Sequence, residues 1–177
     1  MRTHRSTPIS SAFKRASAAG GLAATACVYS LSGGGGLPGH LRTVAVLPFE
    51  NQTTQFTLTQ EIHQALLNEM SARMGLDPAG EASADAIVRG RIVQYSNEPL
   101  VFRGGGVRGD VVREDQRRVT VTISVEIYDA VEDQILWQAS SLSAIGEYRI
   151  AEGEDRGRET AIRDLVQKVI DGAQSQW

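Results

Sequence analysis

The sequence predicts an α+β fold, a two-layer sandwich in which two helices cover one face of a four-stranded, mostly antiparallel sheet. Two observations predict it. Apolar and polar residues alternate strictly over 118–128, which is the period of a half-buried strand. Apolar residues recur every three or four positions over 57–75 and 159–171, which is the period of an amphipathic helix. The predicted order is strand, helix, strand, strand, strand, helix.

The first strand and the first helix are predicted from the amino-terminal half. Residues 42–49 are nearly all apolar, as expected for a strand buried on both faces, and Pro48 ends the strand. The helix starts at Thr57, which we pair with Gln60 as a capping box, and Gly75 suits the left-handed position after its last turn. Its apolar stripe consists of Leu58, Ile62, Ala65, Leu66 and Met70.

The remaining elements follow in the carboxyl-terminal half. A second strand is predicted over 84–95, and strands 118–128 and 134–148 form an antiparallel hairpin around a short polar turn. The second helix, 159–171, is followed by Gly172. Its apolar stripe consists of Ile162, Leu165, Val166, Val169 and Ile170. With both helices on one face, we expect Arg118, Thr120 and Thr122 to lie on the exposed face.

The composition is that of one globular domain. The chain has 177 residues, 41% hydrophobic and 22% charged, which excludes disorder throughout. Its formal net charge of -3 is unevenly distributed, because the first 26 residues carry four basic and no acidic side chains. The remainder has 14 Lys and Arg against 21 Asp and Glu, a net charge of -7. No overall basic face is expected, so nucleic-acid binding is not predicted.

The amino-terminal segment has the layout of a secretory signal: basic residues, a short apolar stretch, and small residues before the single cysteine, Cys27. The apolar stretch is too short for a bilayer span, which needs about 20 residues. The layout resembles a bacterial lipoprotein signal, in which residues 1–26 are removed and Cys27 is lipidated. Residues 27–40, with four consecutive glycines, would then be the tether. The alternative is an incidental or buried cysteine after a disordered arm.

Catalytic and metal motifs fail when their context is considered. Segments 34–39 and 104–109 match G-x-G-x-x-G, but neither lies between a strand and a helix as a dinucleotide site requires. The three histidines, His4, His40 and His63, show no i, i+4 metal-binding pair, and there is no G-x-S-x-G motif. We therefore expect no enzyme activity, no metal site and no cofactor.

One segment, 103–118, is locally basic within the acidic domain. It contains Arg103, Arg108, Arg113, Arg117 and Arg118 against Asp110, Glu114 and Asp115. A guanidinium group suits phosphates and carboxylates because its planar fork donates two parallel hydrogen bonds. The alternative is a solvated hairpin loop whose charges are screened, and the spacing alone favours that alternative.

Several stretches together resemble the lipopolysaccharide-assembly lipoprotein family, LptE. They are LPGHLRTVAVLPFENQTT at 37–54, LTQE at 58–61, ADAIVRG at 84–90, the alternating strand at 119–128, ILW at 135–137 and the second helix. The sequence departs from the family at Val28, where glycine is usual. Residues 44–51 also resemble the first strand of curli-secretion lipoproteins and of lipoprotein activators of peptidoglycan synthases, which remain the alternatives.

The LptE resemblance implies a specific task for domain 41–177. The protein would face the periplasm from the outer membrane, for which Val28 is also suitable, held by the lipid on Cys27. It would plug the large β-barrel LptD, support the assembly of that barrel, and help deliver lipopolysaccharide to the outer leaflet. The family has the two-layer α/β fold. We expect the phosphates of lipopolysaccharide to be contacted by Arg103, Arg108, Arg117 and Arg118.

Overall fold

The computed structural model describes residues 37–100 and 116–175 and confirms the α+β class. Those residues form β1 (Thr43–Val46), β2 (Glu50–Asn51), α1 (Leu58–Met74), β3 (Asp77–Pro78), β4 (Ala86–Pro99), β5 (Gln116–Asp129), β6 (Gln134–Arg149) and α2 (Glu154–Gln174). Single 3-10 turns precede β4 and α2. Within the described ranges, neither helix is long and apolar enough to cross a membrane.

The sheet is mixed and has six strands in the described residues, which corrects the predicted four-stranded, mostly antiparallel sheet. Its order is β3-β1-β4-β5-β6, and β2 pairs with β4. The pairs β1–β3, β1–β4 and β2–β4 are parallel, whereas β4–β5 and β5–β6 are antiparallel. β1 and β4 are parallel because α1 provides the crossover between them. β2 and β3 have two residues each, too few for a pattern in the sequence.

Several details differ from the predicted ones; β4 runs on to Pro99, and α2 continues through Gly172 to Gln174 and does not end before that glycine. Pro48 divides predicted strand 42–49 into β1 and β2, because proline lacks the N–H that would continue the ladder. α2 begins at Glu154, five residues before the predicted start. The prediction began too late because the first turns of the helix are polar and show no apolar stripe. The predicted capping box is not formed, since Thr57 has helical backbone angles and makes no side-chain cap bond. Gly75 does adopt the predicted left-handed conformation, with φ of 66°.

The core lies between the sheet and the two helices. The predicted stripe of α1 is confirmed, because Leu58, Ile62, Leu66 and Met70 are fully buried, although Ala65 is half-buried. The inward side chains of β5 and the apolar stripe of α2 complete the core. Burying a Leu or Ile side chain contributes roughly 1.5–3 kcal/mol, so these contacts dominate the stability of the domain.

The two ends of the sandwich differ in what they carry. At one end, which we call the loop end, the chain leaves β4 at Leu100 and returns at Gln116, whose carbonyl accepts a hydrogen bond from Leu100 N at 2.9 Å. Both helices begin there, since Glu61 of α1 pairs with Arg158 of α2. The opposite end, the entry end, contains His40 and the turn between β5 and β6. The 14 residues of β4 separate the ends by about 45 Å.

β6 is an edge strand among the described residues, and it is protected against unwanted pairing. Its register with β5 is irregular at two places, opposite Ile123/Val125 and Ile127/Tyr128. On the loop-end side of both irregular places, Lys168 Nζ of α2 donates a hydrogen bond to the Ser143 carbonyl of β6 at 2.9 Å. Bulges and a lysine on the edge are the usual means of blocking edge-to-edge association.

Candidate functional site

The structure places two of the predicted site residues, Arg117 and Arg118. Cys27, Arg103 and Arg108 lie outside the described residues. Arg117 and Arg118 are consecutive positions near the start of β5, at the loop end, and consecutive strand residues point to opposite faces of the sheet. The two described arginines therefore have different surroundings, and their contact with lipopolysaccharide stays a prediction.

Arg117 lies in a hydrogen-bonded cluster on the helix side of the sheet. Its Nε donates to Asn97 Oδ1 and its Nη2 to the Asn97 carbonyl, both at 2.9 Å. Asn97 Nδ2 in turn donates to Tyr148 Oη at 2.9 Å. The cluster ties β4, β5 and β6 together at the loop end, so Arg117 has a structural role in addition to any ligand contact.

Arg118 lies on the face of the sheet turned away from the helices, which we call the open face. Its Nη2 is 2.7 Å from Glu147 Oε1 on β6, and the two side chains are about half exposed. An exposed ion pair of this kind contributes between about 0 and 1 kcal/mol. A phosphate group could therefore replace Glu147 as the partner of Arg118 at little cost in stability.

Other polar groups of the open face are also paired with one another. Arg89 Nη2 is 2.6 Å from Glu126 Oε1, and the Arg89 guanidinium is 5.3 Å from the centroid of the Tyr128 ring. Thr122, predicted to be exposed, is buried instead, because its hydroxyl is 2.8 Å from that of Ser143 on the neighbouring strand. The polar groups of this face are thus largely satisfied by their own cross-strand contacts, and the apolar side chains of Ile135 and Ile145 are about half exposed beside them.

An ion network at the loop end joins the two helices. Arg158 is only 13% exposed, and its Nε lies 2.9 Å from Glu61 Oε2, while its Nη2 lies 2.8 Å from Asp155 Oδ1. Burial lowers the pKa of Arg158, but these hydrogen bonds outweigh burial and raise it above its usual value. Tyr95 donates to Glu154 in the same network, and burial together with Glu154 raises the pKa of Tyr95 to about 12.

A groove of about 750 Å³ runs between α1 and α2 above this network. Its walls are mostly polar and acidic, and Ala65, Ile162 and Val166 form its apolar floor. Among the described residues, the groove lining contains neither a serine nor His63, the histidine of α1. Among the residues that line the groove, Thr57 carries the only hydroxyl group, and no histidine lies in the lining to act as its base.

A second polar cluster lies at the entry end and was missed in the sequence. Asp129 is fully buried at the end of β5; its Oδ1 accepts hydrogen bonds from Val131 N and Glu132 N, and its Oδ2 lies 2.6 Å from His40 Nε2. Burial raises the pKa of Asp129, but the hydrogen bonds outweigh it and hold the pKa below its usual value. The polar turn was visible in the sequence, but nothing there pointed to a partner 89 positions away.

Asp85 holds the start of the domain beside this cluster. Its Oδ2 accepts hydrogen bonds from Arg42 N at 2.8 Å and from Thr43 N and Oγ1 at 2.9 Å. Led by the bond from Arg42 N, these contacts hold the pKa of Asp85 below its usual value. The carboxylate therefore stays ionised at neutral pH and fixes the segment that enters β1.

Fold and surfaces together are those of a small α+β domain suited to binding or assembly. A family model described as "LptE: Lipopolysaccharide-assembly" matches residues 41–172, and the chain belongs to this family. It is therefore an LptE-like lipoprotein associated with the cell envelope and is not an enzyme. No curated protein matches the chain at significant similarity.

Solved structures share the fold at low sequence identity. The hypothetical protein CT253 from Chlamydia trachomatis is 11% identical, with a TM-score of 0.52 over 77% of this chain and 97% of that one. Protein XCC0632 from Xanthomonas campestris is 7% identical, with a TM-score of 0.53 over 77% and 86%. A minor lipoprotein from Acinetobacter baumannii has a TM-score of 0.47 at 14% identity over 77% and 94%. The first two likenesses show the fold alone.

Proposed function

We propose that this protein is an outer-membrane lipoprotein that plugs an LptD-type β-barrel, supports its assembly and helps deliver lipopolysaccharide to the outer leaflet. Membership of the LptE family supports a role in lipopolysaccharide assembly. Residues 1–26 are the signal peptide, Cys27 carries the lipid, and 27–40 is the tether to the periplasmic face of the membrane. The observation that carries the plug role is the open face of the sheet.

The open face suits a water-filled lumen. The inside of a large membrane barrel is polar, whereas its lipid-facing side is apolar. Arg89, Arg118 and Thr122 of the open face are each paired with a neighbouring strand, so these groups leave little unpaired charge on a surface of mixed polar and apolar side chains. Such a surface can slide into a polar lumen and exchange its exposed ion pairs for contacts with the barrel wall.

The length and direction of the domain also support the proposal. The entry end follows the tether directly, and the loop end is about 45 Å away. A bilayer with its headgroups is about 40–45 Å thick. A domain anchored at its entry end and inserted along a barrel axis would therefore bring the loop end towards the outer leaflet.

The arginines of segment 103–118 are proposed to bind the phosphates of lipopolysaccharide. Arg118 is the suitable described member because its guanidinium is exposed and weakly held by Glu147. The other members of the proposed set are Arg103, Arg108 and Arg117. Guanidinium groups recognise phosphate oxygens through charge-assisted hydrogen bonds, which contribute about 1.5–3 kcal/mol each.

Replacing Arg118 by glutamine is expected to weaken lipopolysaccharide binding by about tenfold, the equivalent of one charge-assisted hydrogen bond. Stability should change by less than about 1 kcal/mol, because only an exposed ion pair is lost. Titration of the detergent-solubilised lipoprotein with lipopolysaccharide measures the effect. The same titration of Arg103→Gln and Arg108→Gln tests the rest of the set.

The matched control is Arg89→Gln, which removes another paired arginine from the open face, closer to the entry end. It should leave binding unchanged. Dephosphorylated lipopolysaccharide should bind weakly to the wild-type protein and to all variants. Equal binding by the wild-type protein and Arg118→Gln, or equal binding of the dephosphorylated lipid, would contradict the proposed phosphate contact.

A further inference from the structure

We propose that His40 and Glu132 form a binding site for a divalent transition-metal cation of the zinc type, with Asp129 as the residue that orients His40. The three side chains offer ligand atoms within 4.8 Å of one another. They come from two parts of the chain, the residues before β1 and the turn between β5 and β6. This inference stands independently of the proposed role in lipopolysaccharide delivery.

The imidazole of His40 is held in the tautomer that a metal site requires. Nε2 lies 2.6 Å from Asp129 Oδ2, so Nε2 carries the proton and donates it to that carboxylate. Asp129 is fully buried, and the backbone N–H groups of Val131 and Glu132 fix its other oxygen. In the neutral ring this tautomer leaves the lone pair of Nδ1 free. A carboxylate that receives the second ring N–H is the usual support of a metal-binding histidine.

Glu132 provides a second ligand opposite that lone pair. Its Oε1 is 3.8 Å from His40 Nδ1, which is too long for a hydrogen bond. Its Oε2 accepts a hydrogen bond from Gln134 Nε2 at 2.6 Å, which leaves Oε1 towards His40. Ligand atoms lie about 2.0–2.2 Å from zinc. Two such atoms are therefore about 3.3 Å apart when the ligand–zinc–ligand angle is tetrahedral, and about 4.2 Å apart when they lie on opposite sides of the metal. The observed distance lies in this range.

The electrostatics favour a cation at this position. A free imidazole lone pair and a carboxylate oxygen repel each other unless positive charge lies between them. Asp85, whose carboxylate is held ionised by Arg42 N and the Thr43 hydroxyl, lies near enough to His40 to add to the negative potential. His40 and Glu132 side chains are 31% and 54% exposed, so water can fill the remaining coordination positions.

A cation here would join two parts of the chain that are 92 positions apart. His40 is the last residue of the proposed tether and lies three residues before β1, whereas Glu132 belongs to the turn at the end of β5. Binding to the folded state alone stabilises it according to the free cation concentration. The site would therefore hold the residues just before β1 against the turn between β5 and β6.

Isothermal titration with zinc chloride tests the proposal on the full chain carrying Cys27→Ser, which removes the only thiol. One equivalent should bind with saturation, and His40→Gln and Glu132→Gln should each weaken binding at least about tenfold. Two matched controls should leave it unchanged. Asp133→Asn removes a carboxylate from the same turn at a left-handed position that asparagine tolerates, and His63→Gln removes the histidine of α1.

The same samples provide a second readout by amide hydrogen exchange. Zinc should slow exchange in residues 38–43 and in the turn 130–133, and it should have no effect in His40→Gln. Absence of saturable binding, binding that His40→Gln leaves intact, or an equal loss in Asp133→Asn would overturn the proposal. Slowed amide exchange that depends on pH and is insensitive to zinc would also overturn the proposal. The contact between His40 and Asp129 would then respond to protons and not to a metal cation.

Discussion

Replacing Gly146 by alanine is expected to lower the free energy of unfolding by about 3 kcal/mol, at the upper end of the range for overpacking. Gly146 of β6 is buried against the first turn of α2. An added Cβ would overlap the Gly157 carbonyl and lie 2.7 Å from Ala161 N. Both are backbone atoms of one helix, so no side-chain rotation relieves the clash. α2 would have to move away from the sheet, which opens the core along Leu165 and Val169.

Equilibrium urea denaturation of the purified domain measures this effect. The matched control is Gly80→Ala, since Gly80 has φ of -75° and a Cβ there would meet only Ser83 Oγ, at 4.0 Å. That variant should remain within about 0.5 kcal/mol of the wild-type protein. A Gly146→Ala variant as stable as Gly80→Ala would show that β6 and α2 do not pack as closely as described.

Replacing Cys27 by serine is expected to move the protein from the membrane fraction to the soluble fraction while its fold is retained. Serine cannot form the thioether that carries the lipid, and several acyl chains are needed for lasting attachment. The fold should survive because the core is made by residues between Leu41 and Ala173. Fractionation after a carbonate wash measures the location, and circular dichroism measures the fold.

Ser30→Ala is the matched control for this substitution, because it changes the same segment and keeps the thiol. It should remain in the membrane fraction as the wild-type protein does. Undiminished retention of Cys27→Ser after the wash would remove the proposed anchor. Loss of the fold in Cys27→Ser would instead indicate that the cysteine has a structural role.

The elements with a long and regular pattern were predictable from the sequence. β5 alternates over residues 118–128, and α1 shows four buried residues at helical spacing, so both were found with nearly correct ends. β2 and β3 were not predictable, because a two-residue strand exists only through pairing with a neighbour. The start of α2 was not predictable either, because its first turns are polar and Gly157 contacts β6 without contributing an apolar side chain.

The surfaces depend on register and were therefore only partly predictable. The spacing of the arginines drew attention to Arg117 and Arg118, but their different partners, Asn97 and Glu147, follow from the alignment of β4, β5 and β6. The contact of His40 with Asp129 joins residues 89 positions apart, and periodicity contains no information on such a pair. Thr122 was expected in solvent because the alternation does not show that Ser143 lies beside it.

The most direct measurement of the plug role is co-purification of the affinity-tagged, lipidated protein from detergent-solubilised outer membranes. The proposal predicts that a large β-barrel protein of the LptD type is recovered with it in a one-to-one ratio. A variant with Thr120→Trp and Ile145→Trp, two neighbouring positions of the open face, should lose most of that barrel while remaining folded and membrane-bound. Recovery of the tagged protein without any barrel, or as a ring of its own copies, would contradict the account.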